Sequence, residues 1–226
     1  EKGKIDDARY LYDRALDADP GRVSLHYHIG RMLILMGAPA DAESHLRIVL
    51  KAAPDHARTH AQLGVCLTQL GRRDEALQHL QRAVELTPLN AARRGNLGAL
   101  LAEMGRIDEG IAQLTKAAKL DPASGDICNN LGYAFSRAGR HVEAAAWYRE
   151  ALLLAPGDPR IGINFADALF AAGERREARE VAQRALEKAK QAFNPGLVKR
   201  IHARLQAYGV APASSGTDSN GGIRSK

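Results

Sequence analysis

Prolines at positions 20, 54, 88, 122 and 156 and glycines at 3, 37, 71, 105, 139 and 173 share one 34-residue step that never slips. A period of that length belongs to arrays of small units, each unable to bury its own apolar face, that stack into one continuous core. Composition agrees. Aromatic residues make up only 5% of the chain while Ala and Leu dominate an apolar fraction of 45%, which favours helices that approach closely over small side chains. Val, Ile and Thr never gather into the alternating runs of a half-buried strand, so no sheet is expected.

Each unit holds two helical stretches, with the periodic Gly in the turn between them. The first stretch carries large apolar residues four apart, at Ile29/Leu33, Leu63/Leu67, Leu97/Leu101, Leu131/Phe135 and Phe165/Leu169, which stack on one helical face. Beside each first member stands Gly30, Gly64, Gly98, Gly132 or Ala166. Gly inside a helix costs about 1 kcal/mol relative to Ala, so a close helix crossing is expected there. Small residues on the second stretch, at Ala8, Ala42, Ala76, Gly110, Ala144 and Ala178, would supply the other side of that crossing. Larger groups follow at Tyr12, Leu46, Leu80, Leu114 and Tyr148, with Ala15, Val49, Ala83, Ala117, Ala151 and Ala185 three residues later. The closing Pro ends the second helix.

These marks resemble the tetratricopeptide repeat family, whose pattern sets Leu-Gly and an aromatic on helix A, then Ala, an aromatic, Ala and a terminal Pro around helix B. The resemblance covers about residues 1 to 192 and implies an all-α, right-handed superhelical solenoid of antiparallel helical hairpins. A partial repeat with only its second helix is expected in 1–22 (helix about 4–18), followed by five units at 23–56, 57–90, 91–124, 125–158 and 159–192. That lone second helix implies a chain that extends upstream. The fifth unit departs from the pattern with Lys190 in place of Pro, which predicts a second helix running on towards Phe193. Leu197, Ile201 and Leu205 share one face of a capping helix within 193–208, needed to cover the last hairpin's stacking surface. From Gly209 to Lys226 the Ser-, Gly- and Asn-rich tail cannot bury enough apolar area to order itself, and disorder is expected.

No stretch approaches the roughly 18 to 20 apolar residues needed to cross a bilayer, so no direct membrane insertion is expected, and a cytoplasmic or a periplasmic location fits equally. Cys66 and Cys128 lie far apart without metal-type pairing and read as reduced, packed thiols. The net charge of +6 comes from basic residues interleaved with acidic ones, as in Arg72-Arg73-Asp74-Glu75, which argues for a solvated face and against nucleic acid. His56 and His60 are four apart on one helix, yet no third ligand is evident and no Glu follows His56 as a hydrolytic zinc motif would want. Neither a nucleophile elbow nor a phosphate loop occurs. The expectation is therefore a binding module with no catalytic residues, no metal and no cofactor.

In the resembled family, helix A of each unit lines the concave side. The residues just before the large apolar position are His28, Gln62, Asn96, Asn130 and Asn164, all able to hydrogen-bond. An Asn amide can donate to and accept from one peptide unit, so the series could hold an extended backbone. This is similar to the asparagine ladder lining the repeats of O-GlcNAc transferase. The alternative is that each Asn caps or tethers a neighbouring loop. Around the ladder, Tyr27, Arg31, Arg58, Gln69, Asn129, Tyr133, Arg137, Arg160, Asp167 and Phe170 complete the expected groove, with aromatic and Arg anchors among them. The carboxylate clamp of chaperone-binding members is not expected, because Tyr27, Ala61, Gly95, Asn129 and Ile163 stand where it needs Lys and Asn.

The expected function is a protein-interaction scaffold for an extended peptide or partner protein. High Ala, Arg and Gly usage points to a bacterial source. Asn-Asn-Leu-Gly-Tyr at 129–133 and Pro-Gly-Asp-Pro-Arg at 156–160 resemble the wording of bacterial pilus-assembly repeat proteins, which suggests a pilus or secretion-system setting. The alternative is the substrate-recruiting arm of a larger enzyme, such as a glycosyltransferase, whose catalytic domain lies outside this sequence.

Overall fold

The computed structural model describes residues 10–12, 14, 19 and 21–209. Most of the lone helix expected at 4–18, and the tail beyond Gly209, lie outside the described residues. Eleven helices follow one another from Val23, with no strand among the described residues: α1 (Val23–Leu35), α2 (Pro39–Ala52), α3 (Ala57–Gln69), α4 (Arg73–Leu86), α5 (Ala91–Glu103), α6 (Ile107–Leu120), α7 (Gly125–Arg137), α8 (His141–Leu154), α9 (Pro159–Ala171), α10 (Arg175–Gln191) and α11 (Pro195–Ala207). The chain divides into two compact units, Glu1–Pro156 and Gly157–Lys226. The first contains four hairpins, α1/α2 to α7/α8; the second contains the hairpin α9/α10 followed by α11.

The turn glycines explain the hairpins. Gly37, Gly71, Gly105, Gly139 and Gly173 have φ between 74° and 93°, the left-handed region that an L side chain rarely adopts. At each turn the Gly N–H and the next N–H bond back to the helix, as in Gly37 to Ile34 O at 3.1 Å and Ala38 to Leu33 O at 2.9 Å. This closes orphan carbonyls at the helix end and reverses the chain. In the second, third and fourth hairpins the second helix then starts on an Arg whose guanidinium grips the Glu three residues on: Arg72–Glu75 at 2.6 Å, Arg106–Glu109 at 2.6 Å, and Arg140–Glu143.

Within the first unit each hairpin packs helix against helix, each second helix packs on the following first helix, and successive first helices touch. The apolar pairs Leu63/Leu67, Leu97/Leu101 and Leu131/Phe135 are buried together with Leu46, Leu80, Leu114 and Tyr148. The interior glycines allow the close crossing over small residues read from the sequence and also make room for the large residue of the second helix. A Cβ on Gly30 would lie 2.8 Å from Leu46, on Gly64 2.5 Å from Leu80, and on Gly132 2.7 Å from Tyr148. Such glycines also face the small residue of the second helix, a Cβ on Gly30 lying 3.4 Å from Ala42 O, on Gly64 3.3 Å from Ala76 O and on Gly98 2.9 Å from Gly110 O.

A side-chain bridge repeats beside this core. His26 Nδ1 meets His45 Nδ1 at 2.8 Å, His60 Nδ1 meets His79 Nδ1 at 2.9 Å, and Arg94 Nη1 donates to Gln113 Oε1 at 2.9 Å, each joining first to second helix of one hairpin. His60 Nε2 also donates to Pro54 O at 2.8 Å, and Arg94 Nε to Pro88 O at 2.7 Å, so the bridge ties in the preceding turn. Because a carbonyl only accepts, His60 carries its proton on Nε2, and His79 Nδ1–H is the donor between the rings. His56 is engaged elsewhere, with Thr59 Oγ1 at 2.6 Å. No group of three or more metal-ligating side chains occurs among the described residues. Cys66 and Cys128 are both free and buried, and burial pushes both thiols up.

In the second unit α10 runs 17 residues against 14 for the second helices before it. α11 repeats α9 residue for residue at an offset of 36, Pro195 for Pro159, Arg200 for Asn164, Ile201 for Phe165 and Leu205 for Leu169. It packs on α10 and α9 through buried Leu197, Ile201 and Leu205. It is a sixth first helix by pattern and a cap by position.

Candidate binding surface

Charge divides between the two helices of a hairpin. α1 and α3 contain no Asp or Glu, and α5 contains only Glu103 in its last turn. Second helices open instead with acidic first turns, Asp41, Asp74/Glu75, Asp108/Glu109 and Glu143, of which Glu75, Glu109 and Glu143 pair with arginines. Glu43 shows the pattern most fully: it sits between Arg47 at 2.7 Å and Arg72 at 2.8 Å, which together hold its carboxyl below the usual range despite the opposing pull of burial. The second helices thus close their own charge balance, and the first helices leave theirs open.

Of the residues expected in the groove, the first unit presents most on its first helices. Gln62, Asn96 and Asn130 are half-buried, and His28 is exposed. None of their side chains has a hydrogen-bond partner among the described residues, so these amides tether no loop. Asn129 is half-buried too, and its Oδ1 is fully enclosed without a partner. Tyr133 Oη accepts from Arg137 Nη1 at 2.9 Å, while Arg31 lies over the Tyr27 ring at 5.8 Å. Gln69 is exposed at the end of α3.

The structure also brings together residues that the repeat pattern leaves unrelated. Tyr27 stands edge-on to His56 with centroids 5.5 Å apart. Val23, Ser24, Tyr27, His28, His56 and Arg58 contribute to the lining of a cavity of about 270 Å³. Arg93, from the first turn of α5, lies near enough to His56 and Arg58 for their charges to interact and donates to Thr87 Oγ1. Burial, then Arg58, then Arg93 lower the pKa of His56, and burial followed by Arg58 lowers that of Arg93. Sequence reasoning missed Arg93 and considered His56 only as a metal ligand. The readable signal was the absence of carboxylates from the first helices before Glu103.

In the second unit the expected groove residues have partners. Asn164 Oδ1 accepts from Arg200 at 3.2 Å. Asp167 accepts from Tyr208 Oη at 2.5 Å and pairs with Arg204 at 3.3 Å, while Phe170 stacks on Tyr208 at 4.5 Å. Burial, reinforced by Asp167, pushes the Tyr208 hydroxyl well above its ordinary pKa. Arg160 folds back on Asp158 at 2.7 Å, at the N-terminus of its own helix.

Consecutive helical hairpins closed by left-handed glycines, with amides and arginines on the first helices, define a tetratricopeptide-type solenoid, a scaffold class that binds proteins on an extended face. Residues 1–200 match the family model described as the C-terminal domain of cilia and flagella-associated protein 70, and the chain belongs to that tetratricopeptide family. Among solved structures, TTC0263 of Thermus thermophilus, a thermophilic TPR protein, is 21% identical, covers 81% of this chain and 99% of its own, and has a TM-score of 0.72. PilF of Pseudomonas aeruginosa is 22% identical over 87% of this chain and 92% of its own, with a TM-score of 0.65. MamA is 26% identical over 73% of this chain and 96% of its own, with a TM-score of 0.61. No curated protein matches the chain at a significant level. No helix among the described residues is long and apolar enough to cross a membrane.

Proposed function

We propose that the chain is a protein-binding scaffold whose first unit holds an extended segment of a partner along α1, α3, α5 and α7. The observation that carries this reading is the row Gln62, Asn96 and Asn130, three half-buried amides in one repeat phase with no hydrogen bond to the rest of the described chain. Asn in mid-helix has no propensity advantage that would place it there, and these amides keep their donors and acceptors available to a partner. A peptide backbone can engage them bidentately, at a spacing set by helix stacking, with little demand on side chains. Tyr27/Arg31 and Tyr133/Arg137, aromatic and cationic groups one turn apart, flank the row as anchors. The wording shared with pilus-assembly repeat proteins at 129–133 and 156–160 supports a partner that belongs to a multiprotein assembly.

The test replaces Gln62, Asn96 and Asn130 together by Ala. Each lost contact should cost roughly 1 kcal/mol, so affinity for a partner selected from a displayed peptide library should fall about a hundredfold while the denaturant midpoint hardly moves. Unchanged affinity combined with lost stability would mean that the amides serve the fold.

A further inference from the structure

Four arginines of the first three hairpins have an acidic partner. Arg47 and Arg72 share Glu43 and Glu75, Arg82 reaches Asp55 and Glu85, and Arg106 grips Glu109. Arg58 and Arg93 have none among the described residues, although they lie close enough to depress His56 and, in the case of Arg58, Arg93 itself. No carboxylate offsets them: the groups acting on His56 are Arg58, Arg93 and His60, and Asp55 in the adjacent turn is already held by Arg82 at 2.7 Å. The helices that carry the cluster contribute no carboxylate before Glu103. Arg93 is half-buried and pinned by Thr87 Oγ1, so its guanidinium is set in place, while Arg58 is exposed at the mouth of the cavity beside Tyr27.

Like charges gathered in a partly desolvated place cost free energy, and they persist where an opposite charge from outside completes the site. We propose that this cluster is the anchor for an acidic stretch of the protein partner, whose side-chain carboxylates are received by Arg58 and Arg93 while Tyr27 packs against its chain. The proposal rests on the reading of the first helices as the binding face and specifies which partners that face accepts. A guanidinium pair suits carboxylates because its planar donors match their oxygens bidentately. A nucleic acid is the poorer fit. A phosphate backbone calls for a continuing row of cations, but the amides Gln62, Asn96 and Asn130 and apolar residues continue the face beyond the cluster.

The experiment pans a random 12-residue library, displayed without a free C-terminal carboxylate, on the full 226-residue chain. The leading peptide is then made in amidated form for anisotropy titration. Selected sequences should be enriched in Asp and Glu over the input. Affinity should drop about tenfold in Arg58→Gln, further in Arg58→Gln/Arg93→Gln, and about tenfold in wild type between low and high salt. Arg58 makes no internal bond, so the single variant keeps the fold even if the double variant loses stability. Peptides that bind and are weakened by Asn96→Ala/Asn130→Ala, but show no acidic enrichment and no response to Arg58→Gln, would overturn the acidic anchor and leave the binding face standing. Failure to select any peptide would remove the binding face and the anchor with it. A 12-nucleotide single strand that binds more tightly than the peptide, and is released by Arg58→Gln, would give the cluster to nucleic acid and overturn the proposal.

Discussion

In the third and fourth hairpins the amides of Asn96 and Asn130 meet no partner among the described residues, whereas in the C-terminal unit Asn164, at the same repeat position, accepts from Arg200. The repeat places all three in one phase on first helices. What separates them is the next first helix. After Asn96 comes a rung of the same short amide kind, Asn130, but α11 brings an Arg long enough to reach back to Asn164. Asp167 and Phe170 are treated likewise, satisfied by Arg204 and Tyr208. A repeat position therefore predicts where a side chain stands, while its availability to a partner depends on what the neighbouring helix carries. The early hairpins keep their amides and cations open, and the last unit closes its own.

The core shows the same contrast, and the largest expected effect tests it. In the early hairpins a Gly faces a large residue, Gly64 against Leu80, with room for no Cβ. In the last unit the corresponding pair is Ala166 and Ala182, so volume has moved from one helix to the other. Leu80→Ala should cost about 2–5 kcal/mol and Gly64→Ala about 1–3 kcal/mol. The double variant should cost well under the sum, because it recreates the Ala/Ala pair of the last hairpin. A double-mutant cycle by urea denaturation measures the coupling. Strict additivity would mean that Gly64 is not there to seat Leu80.

Much of this was legible in the sequence because a 34-residue period samples each structural position repeatedly. Helix order, turn glycines, the Ile29/Leu33-type core pairs and the long α10 all follow from phase. The bridges His26–His45 and His60–His79 did not, because they join residues 19 apart, a separation set by hairpin geometry and by no helical period. The Arg58–Arg93 cluster joins unlike positions of neighbouring repeats, which phase comparison cannot relate. Arg200 was hidden by the two extra residues that shift α11 out of register.

A smaller effect is expected at the last turn. Phe193 ends α10 with φ of 50°, where the five preceding hairpin turns use Gly, and its ring is 91% exposed. The left-handed region costs a bulky L residue about 1–2 kcal/mol, part of which Gly returns as chain entropy. Phe193→Gly should therefore stabilise the second unit by about 1 kcal/mol, raising the thermal midpoint by a few degrees. A lowered midpoint would show that the ring is held by contacts worth more than the strain. Smaller still, Asn164→Ala should cost about 0.5–1 kcal/mol in stability, through the lost bond to exposed Arg200, and leave peptide affinity alone. Asn96→Ala should do the reverse, and the same outcome for both would erase the distinction between the units.

The weakest contrast is in pH. His60 and His79 bridge the second hairpin, but Gly162 and Val181 stand at the matching positions of the last, so only the early hairpins carry a titrating bridge. Two rings meeting through Nδ1 at 2.9 Å hold one proton between them, and a second would set donor against donor. Burial, the neighbouring His60 and Arg47 lower the pKa of His79, against the opposing pull of Glu75 and Glu43. The unfolded chain takes up its proton near pH 6.5, where the folded chain does not yet, so the unfolded state binds more protons there. The stabilisation is fully present above that pH and is lost as pH falls through the lower folded value. His56, lowered in the same direction by burial and by Arg58, adds to the slope. Thermal midpoints should fall as the buffer is taken from pH 7 towards 5. His79→Gln should flatten the fall, because Gln113 already fills that place in the third hairpin and an amide can donate to neutral His60 or accept from its charged form. A variant with the full wild-type slope would place the titration outside the bridge.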